Sequence, residues 1–414
     1  MKKFTFGVFF DSKLTVGGSF QQSLNNIILS NNLTSNEIDV KVITTIPENI
    51  EIVKKYGIKG FLYSPNILIK FWLNILNILP YKIYKVVRFF KKKNNFEEFL
   101  DKLNVDLIYF VSQSSYVDHL HSINYIYTVF DLAHRDFPEF PEVSSYKIFD
   151  SRETRLQKNL QRAIAIISES DYGKKNLISR YNLIEERVYV FPLDSGKVFY
   201  ELKKENYLPK DKKNSDIKQR YNLKCDYVFY PSQFWAHKNH IYILKALEIL
   251  KNEEKINLGA VFSGSDMGNL SYIKSMTKKM RLEDRVRFVG FVPNEELPFL
   301  YAQSVALVMP TYFGPTNIPP LEAFKLNIPV LYSDLPGLKE QVGSAALLLD
   351  LKDPRCLVKN IKRLLKSEDL RNELIEQGKL IINELKSKNN NLDTLKKILN
   401  NFRVIRDCWN KVIL

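Results

Sequence analysis

The chain has 414 residues, 45% of them hydrophobic and 26% charged, a composition that is typical of a folded protein and excludes a disordered, collagen-like or coiled-coil chain. The length predicts about two domains. The three cysteines, none of them in a Cys-x-x-Cys pair, argue against a disulfide-bonded secreted scaffold and a structural zinc ribbon. The formal net charge of +15 favours anionic partners such as nucleic acid, phosphorylated small molecules or an acidic membrane surface.

The first part of the chain alternates short apolar runs with helical patterns. The run Phe4–Phe10 stops at Asp11 without a small-x-small cleavage site, so it predicts a buried strand rather than a signal peptide. Further strands are predicted at 39–45, 105–111, 125–130, 163–167 and 188–191, with a helix at 19–29. Because strands that alternate with helices form parallel sheets, residues 1–200 are predicted to be one α/β domain.

Residues 61–96 differ from the rest of the chain because they contain no Asp or Glu. Their Lys and Arg residues alternate with aromatic and aliphatic ones, and Pro80 divides the segment. The pattern predicts two basic amphipathic helices that lie in a membrane interface, with apolar faces in lipid and basic groups on anionic head groups. A pair of core-facing helices with a solvated basic edge is the alternative.

The second part of the chain repeats the alternation after a lysine-rich stretch, 201–224, that is predicted to be a linker. Strands are predicted at 227–231, 258–263, 286–289, 305–309 and 330–333, and helices at 241–251, 270–280, 297–303, 321–326, 356–367 and 370–385. Residues 225–390 are therefore predicted to form a second domain, and residues 391–414 a helix that packs back on the first. The expected fold class is α/β with two Rossmann-like domains, and the expected ligand site is the cleft at the carboxyl ends of their strands.

Two short motifs are suited to a phosphorylated ligand. Gly17 and Gly18 lie in a turn between a strand and a helix, where backbone N–H groups can approach an anion. Lys238 stands near a predicted helix N-terminus, where charge and helix dipole both favour a phosphate. The alternatives are a tight structural turn for the glycines and a solvated surface cation for the lysine.

A proline- and glycine-rich loop forms a third motif and runs from residue 309 into a helix. The backbone N–H groups of Thr316, Asn317 and Ile318 are candidates for binding a diphosphate. The Glu322 carboxylate is suited to accepting two O–H hydrogen bonds from a ribose. The alternative is a proline-rich helix N-terminus with an ordinary acidic residue in its first turn.

These motifs carry a resemblance to a known family. The second domain resembles the donor domain of the retaining glycosyltransferases of family 4, the group 1 glycosyltransferases of GT-B fold. The stretches that resemble it, in order, are HKN at 237–239, FSGSDMGN at 262–269, RVRFVGFVPNEELPFLY at 285–301, PTYFGPTNIPPLEAF at 310–324 and IPVLYSDLPGLKEQVGSAALLLD at 328–350. The first domain resembles the family more loosely, through Gly17-Gly18, VFDLAHRDFPE at 129–139 and SES at 168–170.

The resemblance implies transfer of a hexose-type sugar from a UDP- or GDP-sugar to a glycan or lipid-linked acceptor. It implies catalytic roles for Asp131 and His134 in the first domain and for Lys238 and Glu322 in the second. His134 would polarise a hydroxyl or contact the sugar, with a hydrogen-bonded structural histidine as the alternative. The donor-binding residues that it implies are Gly17, Gly18, Gln233, Lys238, Gly264, Val292, Gly314, Thr316, Asn317, Ile318 and Glu322.

Two positions depart from the family's pattern. Gly314 stands where the family often has a Glu, eight positions before the helix Glu, and Gln233 stands where it usually has an Arg, five residues before the donor-domain Lys. The phosphate-binding set is one guanidinium short, and the sugar-facing loop lacks its first carboxylate. A divergent or inactive enzyme would explain both departures, but a branch of the family with a GPTN-type loop is favoured.

No metal or cofactor is expected apart from the nucleotide-sugar donor. The family transfers sugars without a metal, and the sequence has no Asp-x-Asp, which metal-dependent sugar transferases typically need. The Asn-, Lys- and Ile-rich composition suggests a bacterial AT-rich genome, so the expected role is the synthesis of surface polysaccharide such as O-antigen, capsule or lipopolysaccharide. The expected location is cytoplasmic, peripheral on the inner face of the plasma membrane, with 61–96 on anionic lipid.

Other functions remain as alternatives. A sugar-nucleotide epimerase or a phosphorylase can have the same fold, because function depends on sites grafted on folds. A basic nucleic-acid-binding protein would account for the charge. However, no RNP-like strand, zinc finger or helix-turn-helix pattern supports it, and no nucleic-acid partner is expected.

Overall fold

A computed structural model describes residues 3–13, 18–64, 95–194, 219–293, 295–314, 316–388 and 390–409. The chain divides into two compact units. Unit 1 comprises Met1–Pro138, Val143–Pro192 and Asn390–Leu414, and unit 2 comprises Glu139–Glu142 and Leu193–Asn389. The predicted linker lies outside the described residues up to residue 218, and the predicted basic helices lie outside them from 65 to 94.

The described helices, in chain order, are α1 (Gly18–Asn31), α2 (Pro47–Lys54), α3 (Asn95–Lys102), α4 (Ala133–Asp136), α5 (Pro141–Ser144), α6 (Ile148–Asn159), α7 (Asp171–Tyr181), α8 (His240–Asn252), α9 (Leu270–Lys279), α10 (Leu297–Ala302), α11 (Ile318–Lys325), α12 (Pro336–Val342), α13 (Pro354–Lys366), α14 (Glu368–Lys388) and α15 (Asn391–Arg406). Among the described residues, none of the helices combines the length and the apolar character needed to span a bilayer.

Unit 1 contains a parallel sheet with the strand order β3-β2-β1-β4-β5-β6-β7. Its strands are β1 (Phe4–Phe10), β2 (Ile38–Thr44), β3 (Gly60–Leu62), β4 (Leu107–Phe110), β5 (Asn124–Thr128), β6 (Ala165–Ser168) and β7 (Val188–Val190). The order reverses between β1 and β4, so this is the switch point of a doubly wound sheet.

Strand β1 lies inside the sheet, between β2 and β4, and this position explains why its sequence is apolar at every position but Thr5. All its residues are buried, because a parallel sheet is covered on both faces. Side chains alternate between the faces: Phe6 and Phe10 join one core cluster, whereas Phe9 joins the other. The Phe9 ring packs edge-on against Phe96 and Phe110, with ring centroids 5.1 and 5.4 Å away.

The C-terminal helix α15 belongs to unit 1. Leu395, Ile398, Leu399 and Phe402 form an apolar stripe at helical spacing and are buried in the cluster that contains Phe4. The rings of Phe4 and Phe402 meet edge to face at 6.1 Å. The helix therefore packs on one face of the sheet of unit 1.

Unit 2 contains a second parallel sheet, with the order β10-β9-β8-β11-β12-β13. Its strands are β8 (Asp226–Pro231), β9 (Leu258–Ser263), β10 (Val286–Gly290), β11 (Ala306–Met309), β12 (Val330–Ser333) and β13 (Ala346–Leu349). The order reverses between β8 and β11. Helix α8 buries Leu244, Leu247 and Leu250 in the core of this unit.

The predicted strands and helices correspond to described elements whose ends differ by only a few residues, with two exceptions. The C-terminal helix, predicted at 391–414, ends at Arg406, and the ends of the predicted basic segment 61–96 belong to other elements. Phe61 and Leu62 belong to strand β3 and not to a basic helix, and Phe96 lies in α3 and is 2% exposed. The sequence patterns missed the helices α2 to α7 and α12 and the strands β3 and β13. Helix α6 illustrates the reason: most of its residues are polar, and it buries only Leu156 and Asn159, so it shows no apolar stripe.

Candidate functional site

The carboxyl edge of the sheet in unit 2 gathers the predicted ligand-binding residues of the second domain. The loop after β8 carries Gln233 and Lys238, and the loop after β11 passes through Gly314 into α11. These two strands pair with each other at the switch point. Open α/β sheets bind ligands outside the carboxyl ends of the strands at this point. The fold therefore brings two stretches that are distant in sequence to one place.

The loop after β8 is fixed by close approach to the loop after β9. The Ser232 N–H donates to the Ser263 carbonyl at 2.8 Å, and the Phe234 N–H to the Ser265 carbonyl at 3.0 Å. Gly264 has φ +144°, and a Cβ there would lie 2.5 Å from the Ser232 carbonyl oxygen. Gly264 is therefore required where the two loops touch.

Gln233 and Lys238 occupy different positions in this loop. The Gln233 side-chain oxygen accepts a hydrogen bond from the Trp235 indole N–H at 3.1 Å. Lys238 ends a 3₁₀ turn, Ala236–Lys238, directly ahead of α8. Its carbonyl accepts a hydrogen bond from the Tyr230 hydroxyl at 2.9 Å. The backbone of Lys238 is thus held by the sheet, which fixes where its side chain begins.

A hydrogen-bond network joins Lys238 to the start of α11. The Lys238 Nζ donates to Asn317 Oδ1 at 3.3 Å. The Asn317 amide nitrogen donates to the Tyr332 hydroxyl at 2.7 Å, and its backbone N–H and carbonyl bond the Gln341 side chain at 2.9 and 2.6 Å. The Tyr332 hydroxyl in turn donates to Gln341 Oε1 at 3.0 Å. These bonds orient Asn317 so that its side-chain oxygen faces the Lys238 ammonium.

The N-terminus of α11 offers few backbone donors. Pro319 and Pro320 have no N–H, and the Asn317 N–H already donates to Gln341. The Asn317 amide that the sequence assigned to a diphosphate is thus engaged within the protein, and Asn317 enters the site through its side chain. The assignment stays a prediction for Thr316 and Ile318. Gly314 has φ +96°, which glycine adopts readily and other residues do not.

Glu322 is a buried acid on α11. Its side chain is 8% exposed, and its Oε2 accepts a hydrogen bond from the fully buried Tyr301 hydroxyl at 2.7 Å. Burial raises the pKa of Glu322 to about 7, although the hydrogen bond from Tyr301 and the charge of Lys325 both act to lower it. Acids with pKa values perturbed this far concentrate at functional sites.

Val292 lies just beyond β10. It is 6% exposed and belongs to the core of unit 2. Its neighbour Phe291 is 62% exposed, and Gly290 has φ +68°. The Gly290 carbonyl accepts the Gly264 N–H at 2.8 Å, so the backbone before Val292 joins the same carboxyl edge. Contact of this backbone with a nucleobase stays a prediction.

Asp131 follows β5 at the carboxyl edge of the sheet in unit 1. Its Oδ1 accepts hydrogen bonds from the Arg152 guanidinium at 2.6 Å and from the Ala133 N–H at 2.9 Å. Burial acts to raise the pKa of Asp131, but Arg152 and these hydrogen bonds outweigh it and hold the pKa below its usual range. Asp131 is therefore an anion at neutral pH that an arginine holds in place.

His134 is completely buried in unit 1. Its Nε2 lies 3.0 Å from Glu153 Oε2, which also accepts the Tyr181 hydroxyl at 2.9 Å, while Arg135 bonds both oxygens of the same carboxylate. Burial and the nearby Arg152 lower the pKa of His134. The ring is thus neutral at pH 7 and oriented by Glu153. This geometry is that of the structural histidine named above as the alternative, and the catalytic role stays a prediction.

The glycine turn of unit 1 is only partly described. Gly17 lies outside the described residues, and Gly18 is the first residue of α1. The sequence did not point to Asp11, which follows β1 at the switch point of this sheet. Asp11 Oδ2 accepts a hydrogen bond from the Ser114 hydroxyl, beyond β4, at 2.7 Å. Burial raises the pKa of Asp11.

The partners of the predicted residues were not visible in the sequence. Tyr301, Tyr332 and Gln341 lie within the quoted stretches but no role was predicted for them, and Glu153 lies outside those stretches. Only the fold brings them to Glu322, Asn317 and His134. Over the parts of the chain that the structure describes, no three His, Cys, Asp or Glu side chains are grouped as a metal site requires.

Comparison with known proteins shows which proteins this chain resembles. Residues 211–380 match the family described as glycosyl transferases group 1. O-antigen chain mannosyltransferase B of Escherichia coli is 26% identical over 227 residues, which cover 55% of this chain and 58% of that protein. O-antigen chain mannosyltransferase RfbU of Salmonella typhimurium is 26% identical over 212 residues, covering 50% and 54%. The chain thus spans little more than half the length of these curated relatives.

Solved structures extend the likeness to almost the whole chain. The structure of Anabaena Alr3699/HepE in complex with UDP-glucose is 16% identical, with a TM-score of 0.69, covering 95% of this chain and 99% of that one. A glycosyltransferase from Rickettsia africae is 14% identical, with a TM-score of 0.67, covering 97% and 100%. The GT-B fold predicted from the motifs is confirmed. The match over residues 211–380 also confirms that this part of the chain resembles the group 1 glycosyltransferases.

Proposed function

We propose that this protein is a retaining glycosyltransferase that moves a hexose-type sugar from a nucleotide-diphosphate sugar, with uridine or guanosine as the base, to a glycan or lipid-linked acceptor in bacterial surface polysaccharide synthesis. The single observation that carries the proposal is the arrangement at the switch point of unit 2, where Lys238 meets Asn317 and α11 holds the buried Glu322. The names of the O-antigen mannosyltransferase relatives support the role in polysaccharide synthesis.

Lys238 is the group proposed to stabilise the leaving diphosphate. Sugar transfer releases a nucleoside diphosphate, so negative charge grows on phosphate oxygens in the transition state. In this structure the Lys238 ammonium is 3.3 Å from the neutral amide oxygen of Asn317. A phosphate oxygen is a stronger acceptor than an amide oxygen because the hydrogen bond is then charge-assisted on both sides. Lys238 would therefore bond the diphosphate while Asn317 keeps the ammonium at the start of α11.

Glu322 is the group proposed to hold the ribose. An ionised carboxylate has acceptor positions on both oxygens, whereas the protonated acid uses one oxygen as a donor and is a weaker acceptor. Tyr301 fixes Oε2, and the ribose is assigned to the remaining acceptor positions of the carboxylate. Because the pKa of Glu322 is about 7, ribose binding would draw the group toward its ionised form. Nucleotide affinity is therefore expected to rise with pH through about 7, and Glu322→Gln is expected to lose this part of the pH dependence.

Unit 1 is proposed to bind the acceptor. Asp131 and His134 lie at the carboxyl edge of its sheet, where ligands of such sheets bind. Asp131 is ionised and oriented by Arg152, so it can accept a hydrogen bond from a sugar hydroxyl. The His134 ring is completely buried and held by Glu153, so its proposed role is to fix the backbone next to Asp131.

An anionic membrane surface is the proposed second partner, through the basic part of the predicted segment, residues 65–94. Neutralising Lys91, Lys92 and Lys93 is expected to lower co-sedimentation with phosphatidylglycerol vesicles but not with neutral phosphatidylcholine vesicles, because the attraction is electrostatic. Unchanged co-sedimentation would exclude this segment as the anchor.

A product assay tests the proposed reaction. Purified protein is incubated with UDP- and GDP-hexoses and membrane extract as the source of acceptor. Release of nucleoside diphosphate together with a new glycosidic bond of retained anomeric configuration is expected, and activity is expected to survive excess chelator. An epimerised donor would identify an epimerase, and release of a sugar phosphate from a glycan would identify a phosphorylase. Either product would contradict the proposal.

A further inference from the structure

The short segment Glu139–Glu142 belongs to unit 2, although the chain on both sides of it belongs to unit 1. Within unit 2, Glu142 Oε1 accepts the backbone N–H of His237 at 2.8 Å and lies 2.5 Å from His237 Nδ1. One carboxylate oxygen thus holds both the backbone and the ring of the residue directly before Lys238.

His237 connects the two loops of the proposed donor site. Its ring stacks on Phe313, with centroids 3.7 Å apart and the planes at 18°. Its carbonyl accepts the Tyr312 N–H at 2.9 Å. Phe140, from the same short segment as Glu142, packs against Tyr312 and Phe313 with centroids at 5.2 and 5.5 Å. These contacts connect Glu142 and Phe140 to Phe313, the residue before Gly314.

Glu142 is a buried anion. Its side chain is 7% exposed. Burial acts to raise its pKa, but the hydrogen bonds from the His237 ring and backbone outweigh it, and the pKa of Glu142 lies below its usual range. A buried carboxylate is stable only when hydrogen bonds compensate for its lost hydration. Removing the carboxylate leaves its hydrogen-bond donors without this acceptor. The donors here are the backbone and ring of His237, so the effect of removal falls on the loop that carries Lys238.

We propose that Glu142 is a positioning residue of the donor site: through His237 it sets the backbone at Lys238 and the Tyr312–Gly314 stretch that face the diphosphate. The inference rests on the proposed function. Glu142 acts through His237 and not on reacting atoms, so its loss raises the KM for the nucleotide sugar about tenfold and changes kcat less.

The test compares Glu142→Ala and Glu142→Gln with the matched control Glu139→Ala, an exposed acid of the same segment, all in the full chain. Calorimetry measures the affinity for UDP and GDP, hydrogen–deuterium exchange measures protection at 236–238 and 312–314, and steady-state kinetics separates KM from kcat. Glu142→Ala is expected to weaken nucleotide binding about tenfold and to speed exchange in both stretches. Glu142→Gln keeps an oxygen that accepts both bonds, so an intermediate loss is expected. Glu139→Ala is expected to match the wild type.

The outcomes separate this inference from the proposed function. A wild type that binds nucleotide and a Glu142→Ala variant that binds it within twofold overturn the inference alone, even if the variant melts at a lower temperature, because the role is then purely structural. Unchanged exchange at 236–238 in Glu142→Ala also overturns it. A wild type that binds neither nucleotide overturns the proposed function and the inference with it. If Glu142→Ala does not fold, the Glu142→Gln affinity decides: equality with the wild type counts against the positioning role.

Discussion

Asp131 with its neighbour Glu153 in unit 1 and Glu322 in unit 2 are acids in opposite electrostatic settings. In unit 1, Asp131 pairs with Arg152, and Glu153 receives several hydrogen bonds, which hold the pKa of both acids below their usual range, that of Glu153 at about 2. In unit 2, Glu322 is buried against the Tyr301 hydroxyl, and its pKa rises to about 7. The fold thus favours the ionised forms of Asp131 and Glu153 and disfavours that of Glu322. The contrast concerns these acids and not all acids of each unit, because Asp11 in unit 1 has a raised pKa and Glu142 in unit 2 a lowered one.

The opposite pKa shifts separate two kinds of acid. Ionised Asp131 and Glu153 stabilise the folded protein, whereas ionised Glu322 destabilises it. A depressed pKa means that the folded state binds the carboxylate better than water does, whereas a raised pKa means the reverse. Selection keeps a destabilising acid where function uses it. Variants that remove each acid are therefore expected to change stability in opposite directions.

The largest expected effect is in unit 1. Glu153→Ala leaves Arg135 and the buried His134 without their acceptor and is expected to lower the free energy of unfolding by about 3–5 kcal/mol in urea denaturation. Glu185→Ala is the control, because Glu185 is 71% exposed in its pair with Lys174, and a change below about 0.5 kcal/mol is expected. A loss of less than about 1 kcal/mol for Glu153→Ala would break the contrast between the units.

The second prediction concerns Glu322 and has the opposite sign. Because its folded-state pKa is raised, its contribution to stability is full below an unfolded-state pKa of 4.5 and is lost as the pH rises through about 7. Glu322→Gln is therefore expected to equal the wild type near pH 4.5 and to exceed it at pH 8 by on the order of 3 kcal/mol. Denaturation curves from pH 4.5 to 8 measure this difference. A variant that is less stable than the wild type at pH 8 would show that the ionised carboxylate stabilises unit 2.

The smallest effect is expected to be the same in both units and so defines the baseline of the comparison. Ser170 caps α7 by accepting the Gly173 N–H, and Asp353 caps α13 by accepting the Arg355 N–H. Replacing either by Ala is expected to cost about 1 kcal/mol of unfolding free energy with no change in nucleotide affinity. A cap variant that lost nucleotide binding would show that binding follows global stability. A loss of binding in a Glu322 variant would then not identify Glu322 as a binding residue.

The sequence predicted much of the fold because hydrophobic burial leaves a local trace. Strands such as β1 and β9 are short apolar runs, and α8 shows a stripe of leucines at helical spacing. Helix α6 left no such trace because it buries few side chains. The helix is held by the burial of Leu156 in the core of unit 1, and local patterns do not contain that information.

The candidate site divides in the same way. Lys238 and Glu322 were predicted because each stands in a local motif beside a helix start. Their partners come from elsewhere in the chain: Asn317 lies 79 residues after Lys238, and Tyr301 lies 21 residues before Glu322. Such pairs can be predicted only when the strand order is known. The pKa shift of Glu322 depends on the burial that this packing produces, so it was not predictable either.

Isothermal titration calorimetry with UDP and GDP tests the central claim most directly, on the wild type, Lys238→Ala and the control Lys245→Ala, an exposed lysine on α8. The account predicts that the wild type binds one of the two nucleotides, that Lys238→Ala weakens this binding at least about tenfold, as expected for a lost charge-assisted hydrogen bond, and that Lys245→Ala binds as the wild type does. A wild type that binds neither nucleotide, or a Lys238→Ala variant that binds equally well, would contradict it.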